Sequence, residues 1–299
     1  MKKANILATA ALATLLAACS NDSDVFNTPD YADTPIGLNV NVSPMATRAG
    51  YEQGALTEGS FGLYLTTEGT NSDERYNCTN REVKYDNGWT IQGGQLLWKS
   101  NDATVTYYAY LPYTGIVSNA ASYAFTVKTD QSTEDNVKAS DLLWTGQQTA
   151  IPGTALDITF KHALSKLNVT LTNGSELEDG VTFTSVRLSN CATATTVNLT
   201  AGTAGTATNS GQTITLYAAT ANEKYECILV PQTFNQTLKV EITDNNGKVY
   251  TFKSDNELTF SSGKQYTLNL TVGRDKVTTG TISAESWGSE QQGGNLVTE

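Results

Sequence analysis

Histidine occurs once in these 299 residues, cysteine four times and tryptophan four times. A single imidazole rules out a multi-histidine zinc site, and the cysteines are too far apart for paired-thiolate metal spacing. Basic residues are scarce as well: 19 Lys and Arg stand against 30 Asp and Glu, a net charge of −11. Phosphate contacts need a basic face, so a nucleic-acid partner is not expected. Charged residues make up only 16% of the chain and apolar ones 39%. Uncharged polar residues fill the gap, 46 of them threonine. Threonine at that density suits a half-buried pleated surface and disfavours long helices. The length allows two domains of ordinary size, each with its own core.

The amino terminus sets the compartment. Lys2 and Lys3 precede an apolar run from Ala4 to Ala18 that ends in Leu16-Ala17-Ala18-Cys19. A basic start, about fifteen apolar residues and small residues at the end describe a secretory signal, too short to span a bilayer stably. The Leu-Ala-Ala-Cys ending resembles a bacterial lipobox, which implies removal of residues 1–18 and lipid on Cys19. The alternative is an ordinary signal peptide with a coincidental cysteine. Ser20, Asn21, Asp22, Ser23 and Asp24 resemble the surface-export stretch of Bacteroidetes lipoproteins, and residues 19–35 read as a polar tether. No later segment has the length and apolarity of a transmembrane helix.

Downstream, short alternating runs and turn residues repeat to the end. Ile36, Leu38, Val40 and Val42 alternate with polar residues and predict a half-buried strand ended by Pro44. Asp86-Asn87-Gly88 and Asp244-Asn245-Asn246-Gly247 each join two alternating runs, a hairpin signal. About eighteen strand candidates follow one another without a sustained helical period, which predicts an all-β sandwich architecture. Leu156, Ile158, Phe160, His162 and Leu164 share one face, and then the apolar parity flips to Leu167, Val169 and Leu171. That flip predicts a bulge or tight turn. With the polar turn at 146–153, it places a domain border near residue 153, giving units 36–153 and 154–299.

The run from Phe160 to Val169, Phe-Lys-His-Ala-Leu-Ser-Lys-Leu-Asn-Val, resembles the opening of the second domain in the fimbrillin family, the Mfa-like group of Bacteroidales. The lipobox, the early strand followed by Thr47-Arg48-Ala49, and the late Ile282–Trp287 stretch sit where that family places them. The resemblance implies two tandem transthyretin-like β-sandwich domains and a structural role, stalk or tip, in a surface fimbrium supporting adhesion. It also implies a trypsin-like protease acting between Arg48 and Ala49. That cut would discard the lipid, the tether and the strand holding Ile36, Leu38, Val40 and Val42. The groove left behind would offer unpaired backbone groups to a strand from another fimbrial subunit. Head-to-tail repetition of such a contact builds a filament. The donor is open: residues 277–287 are either the last strand of the second sandwich or the exchanging strand itself.

Other chemistry is sparse. His162 lies on an apolar strand face and reads as a packed residue with satisfied nitrogens. Asp130, Glu134, Asp135 and Asp141 read as solvated surface, and Asp244-Asn245-Asn246-Gly247 lacks the ligand spacing of a calcium loop. No Gly-x-Ser-x-Gly elbow or phosphate loop is present, so neither enzymatic activity nor a cofactor is expected. Cys78, Cys191 and Cys227 are either free buried thiols or, for the last two, a disulfide requiring α-carbons within about 7 Å. A competing function comes from Trp89, Trp98, Trp144 and Trp287 with Tyr107, Tyr108, Tyr110 and Tyr113: a sugar-stacking platform of a surface glycan-binding lipoprotein.

Overall fold

The computed structural model describes residues 29–43, 54–69, 72–115, 117, 119–287 and 294–295. Tyr31–Glu299 forms one compact unit. The chain is all-β, with one short α-helix and one 3-10 turn among the described residues.

In chain order come β1 (Leu38–Val42), β2 (Gly54–Ala55), β3 (Ser60–Thr67), β4 (Cys78–Tyr85), β5 (Trp89–Ile91) and β6 (Val105–Leu111). Then follow β7 (Tyr123–Thr126), α1 (Glu134–Ser140), β8 (Leu143–Trp144), β9 (Gln148–Ala150) and β10 (Leu156–His162). All of these strands except β7 belong to one sheet, ordered β2-β1-β10-β8-β6-β3-β4-β5, with β9 paired to β6. The Asp-Asn-Gly hairpin forms as the sequence predicts: Tyr85 faces Trp89, with Asn87 and Gly88 at positive φ. One face of the sheet carries Phe61, Leu63, Val83, Val105, Tyr107, Ala109, Leu111, Ile158 and Phe160 into a first core. Its strand members all come from this one sheet, which therefore curls over its own apolar side.

The second half contains β11 (Ser165–Asn173), β12 (Phe183–Cys191), β13 (Ala194–Asn198), β14 (Thr203–Ala204), β15 (Gln212–Thr215), β16 (Tyr217–Thr220) and β17 (Lys224–Leu229). It ends with β18 (Gln232–Asn235), β19 (Lys239–Asp244), β20 (Val249–Lys253), β21 (Glu257–Phe260), β22 (Lys264–Val272), β23 (Val277–Ser286) and β24 (Gly294–Asn295). A six-stranded sheet, β16-β17-β11-β22-β23-β24, and a four-stranded sheet, β15-β12-β19-β20, line a second core. Two small pairings, β14-β13-β7 and β18-β21, complete it. Tyr64 and Tyr110, on the opposite face of β3 and β6 from the first core, belong to this second core.

The parity flip after Leu164 has a specific cause. Phe160 packs in the first core, whereas Leu164 and Leu167 pack in the second, and two bend residues separate β10 from β11. Accordingly the border expected near residue 153 does not follow the pairing. β10, just beyond it, is hydrogen-bonded to β1 and β8 in the first sheet, and the changeover lies at Ala163-Leu164. In the other direction, β7 pairs with β13 of the second half, and Val137 of α1 lies in the second core. Helix α1 was not expected. Thr133 caps it by accepting from the Asn136 amide at 3.3 Å, and Glu134 and Asp135 favour its first turn.

Candidate functional site

β1 is a five-residue strand lying parallel to β10, with register Leu38 to Leu156, Val40 to Ile158 and Val42 to Phe160. Among the described residues its other edge meets β2, through Asn41–Ala55 and Val42–Gly54, and Leu56, whose amide donates to the Val40 carbonyl at 3.3 Å. Ile36, Val40 and Val42 are buried at 2, 7 and 2% exposure, while Leu38 is half-buried against the same core. The ladder begins at Leu38, and Ile36 is fixed instead by its amide bond to the Leu96 carbonyl at 2.9 Å. Full burial of such side chains is worth about 1.5–3 kcal/mol each. Three of them hold the strand by on the order of 5–9 kcal/mol, an upper bound because the unfolded chain also buries apolar surface. That is comparable with the stability of a whole domain.

Cys19, Arg48 and Ala49 lie outside the described residues. β1 ends at Val42 and β2 starts at Gly54, so Arg48 and Ala49 belong to the stretch that links β1 to the remainder of the first sheet.

The late segment is a full member of the second core's sheet. β23 pairs antiparallel with β22 along its length, from Lys264–Ser286 to Val272–Val277. By strict alternation Val277 would lie on the face opposite Ile282 and Ala284, but a register shift intervenes: Leu268 faces Ile282 while Leu270 faces Thr279, so β23 contributes one extra residue there. The bulge returns Val277 to the face shared by Ile282 and Ala284, and all three pack on the second core. Trp287, just after the strand, is buried.

The Phe160–Val169 run joins the two cores. His162 Nδ1 and an Asp141 carboxyl oxygen are hydrogen-bonded at 2.8 Å, and the His162 ring stacks on Trp287 with centroids 3.8 Å apart and planes at 10°. Its Nε2 has no hydrogen-bond partner among the described residues, so only one of the two nitrogens is satisfied. Asp141, expected on the surface, is fully buried; Asp130, Glu134 and Asp135 are exposed as expected. Ser165 Oγ donates to the Leu229 carbonyl at 3.0 Å, and Lys166 pairs with Glu226 at 2.7 Å inside the protein. His162 thus ties the end of β10 to Asp141, while Ser165 and Lys166 both tie β11 to β17.

The aromatic set forms no exposed platform. Trp98 and Trp287 are buried, and Trp89 and Trp144 are half-buried. Trp89 donates its indole N–H to the Leu56 carbonyl at 3.0 Å and packs on Phe61. Trp144 covers Gly202, where a Cβ would meet its ring at 1.8 Å. Tyr107 and Tyr110 are buried on opposite faces of β6, while Tyr108 stacks on Tyr64 at 4.5 Å. Burial pushes the Tyr64 hydroxyl up to about 12.

Cys78, Cys191 and Cys227 are free and buried. Burial raises the first two thiols to about 12 and the third well above its ordinary value, so all three stay protonated and inert. Among the described residues no group of three or more His, Cys, Asp or Glu side chains is placed to hold a metal ion. The Asp244 carboxylate accepts from the Asn246 and Lys248 amides at 2.8 and 2.9 Å and from Tyr250 at 3.1 Å. Burial works to raise its pKa, but these hydrogen bonds outweigh that and hold it below the usual carboxylate range. An open polar cleft of about 770 Å3 lies beside β4, lined by Glu74, Asn77, Asn80, Arg81, Glu82 and Tyr113 among others.

The arrangement resembles known proteins along nearly its whole length. A family model described as fimbrillin-like matches residues 47–287. A candidate fimbrium subunit, Fim1C, of Bacteroides uniformis is 25% identical over 305 residues, covering 98% of each chain. The crystal structure of a candidate cell adhesion protein from Bacteroides uniformis superposes with a TM-score of 0.62 at 22% identity, covering 84% of this chain and 98% of that one. Another from Bacteroides ovatus gives a TM-score of 0.64 at 17% identity, covering 87% and 100%. At these identities the likeness of the two structures is one of fold. The family match spans most of the chain: it belongs to the fimbrillin-like family of fimbrial subunits.

Proposed function

We propose that this protein is a cell-surface fimbrial subunit made as a lipoprotein, cut after Arg48 and joined to other subunits by strand exchange. In this scheme Cys19 carries the lipid that holds the precursor on the outer membrane, and residues 19–35 are its tether. A trypsin-like protease cuts between Arg48 and Ala49, so that Ile36, Leu38, Val40 and Val42 are held only by non-covalent contacts. The partner's strand then occupies the place beside β10, with backbone pairing for affinity and alternate apolar side chains for register. The first and second cores act as two domains, with the changeover at Ala163-Leu164 in place of 153. The role is structural, and it supports adhesion through the filament.

The observation that carries this reading is the placement of β1. It is an apolar strand of the first core, paired over five rungs with β10 and backed, among the described residues, by the short β2 and Leu56. Its departure would bare the edge of β10 and the apolar faces of Ile158 and Phe160, a surface with strong affinity for another strand. The family match and the Fim1C relative support a fimbrial setting. Treating lipid-free precursor with a trypsin-like protease should give a new amino terminus at Ala49 and a ladder of oligomers. The Arg48→Ala protein should stay monomeric; equal assembly by that variant would remove the cleavage step from the account.

A further inference from the structure

β10 has an unusual balance of support. On the side away from β1, its ladder consists of only two rungs with β8, Lys161–Trp144 and His162–Leu143. Residues 156–160 therefore depend on β1 for their ladder, and on the Tyr107 hydroxyl, which both accepts from the Asp157 amide and donates to its carbonyl at 3.1 Å. If β1 leaves, the strand is anchored mainly at its His162 end. His162 is the last residue of β10, so a displacement of the strand as a unit carries that residue with it.

His162 is also the seat of Trp287. The two rings stack at 3.8 Å, and Asp141 fixes the imidazole through Nδ1 at 2.8 Å. The same corner is gripped through the backbone: the Trp287 amide donates to the Gly263 carbonyl at 2.8 Å, and the Gly263 amide donates to the Leu164 carbonyl at 2.8 Å. Ser262 Oγ donates to the Ala163 carbonyl at 2.6 Å. The Trp287 indole N–H has no hydrogen-bond partner among the described residues, so the side chain is held by stacking and burial alone. A seat without a directional bond is readily lost when its platform moves.

We propose that the Asp141–His162–Trp287 contact is a latch coupling the two ends of the chain. While a strand fills the groove beside β10, His162 stays in place, Trp287 stays seated and the end of β23 is locked in its own sheet. An empty groove lets β10 and His162 shift, and β23 frays from Ser286 back to its bulge near Gly280. The freed piece is residues 282–287. The latch rests on the proposed release of β1 for its biological setting, but the contact itself is tested without it. An element whose two arrangements are biased from both ends is what such coupling requires.

Hydrogen exchange read by mass spectrometry on the full chain tests this in two arms. In the uncut protein, His162→Ala should speed exchange of residues 282–287 at least tenfold and leave β19 and β20 unchanged. His162→Phe, which keeps a ring under Trp287, should restore protection, and Trp287→Leu gives the same answer should His162→Ala fold poorly. In the second arm, a protease site engineered within residues 44–53 replaces reliance on Arg48, and the leading piece is removed in mild denaturant. Residues 282–287 should then exchange at least tenfold faster, and adding back a peptide of residues 35–43 should reverse this. Unchanged protection in His162→Ala and Trp287→Leu would overturn the latch. Unchanged protection after removal of β1 would overturn the coupling. A protein that resists cutting at Arg48 but passes both arms would refute the proposed processing and leave the latch standing.

Discussion

Val42 stands opposite Phe160 on the last paired rung of the parallel ladder between β1 and β10, and both side chains are buried in the first core. In sequence, Arg48 follows Val42 by six residues. Parallel strands need a long connection, and here the paired residues Leu38 and Leu156 are 156 − 38 = 118 positions apart. The strand beside β10 is thus distant in sequence from its partner. In the proposed assembly, a strand from another molecule would meet the same backbone edge and the same pockets.

The inner and outer faces of β1 should respond differently to substitution. Val42→Ala is expected to lower stability by about 2 kcal/mol, the transfer term for two methylene-sized groups plus a small cavity. Asn41→Ser, on the opposite face, should change it by less than about 0.5 kcal/mol. Urea titration of the uncut protein measures both. Equal effects would mean that the strand's faces are assigned wrongly.

The buried pair of Lys166 and Glu226 joins β11 to β17 on the face away from the leucines of β11. Removing one charge strands the other, at a cost of about 3–5 kcal/mol. Lys166→Met alone should therefore be strongly destabilising, while Lys166→Met with Glu226→Leu should recover most of the loss. A double-mutant cycle by chemical denaturation separates the two effects. Additive losses would show that the pair is not coupled.

Alkaline pH should weaken the fold through the thiols. Cys78 and Cys191 ionise near 9 when unfolded and are pushed by burial to about 12 when folded. Below pH 9 both states carry the proton and nothing changes. Above it the unfolded chain ionises first, so stability falls as pH rises from about 9 toward 12. Native protein should also resist iodoacetamide at pH 8 and react at all three thiols only in denaturant. Rapid labelling of native Cys78 at pH 8 would contradict its burial.

Much of this fold can be read along the chain, and the reasons are local. Alternation at Ile36–Val42, the Asp-Asn-Gly turn at 86–88 and the parity flip after Leu164 each depend on neighbours within a few residues. The flip marks a change of core, which parity alone does not distinguish from a bulge. What sequence does not carry is pairing at a distance. β10 looks like the start of a second domain because Pro152 and Gly153 precede it, yet its partner is the first strand. The burial of Asp141 depends on His162, 21 residues away, and Trp287 meets that histidine from the far end of the chain. Leu258 and Phe260 alternate up to Ser261-Ser262-Gly263 and Tyr266 follows, yet β21 pairs with β18, and β22 runs parallel to β11. The turn Ser261-Ser262-Gly263 is a crossing between sheets, and nothing in its composition separates the two.

The central claim, that assembly needs β1 to leave and not merely Arg48 to be cut, is tested most directly by stapling the strand in place. Asn41 and Thr159 face each other across the parallel ladder on its half-exposed side. The double variant Asn41→Cys with Thr159→Cys should form a disulfide that leaves the first core undisturbed. Treated with a trypsin-like protease, the oxidised protein should be cut between Arg48 and Ala49 yet remain monomeric, and reductant should start oligomer formation. Oxidised, cut protein that assembles as fast as the unstapled chain would contradict the account.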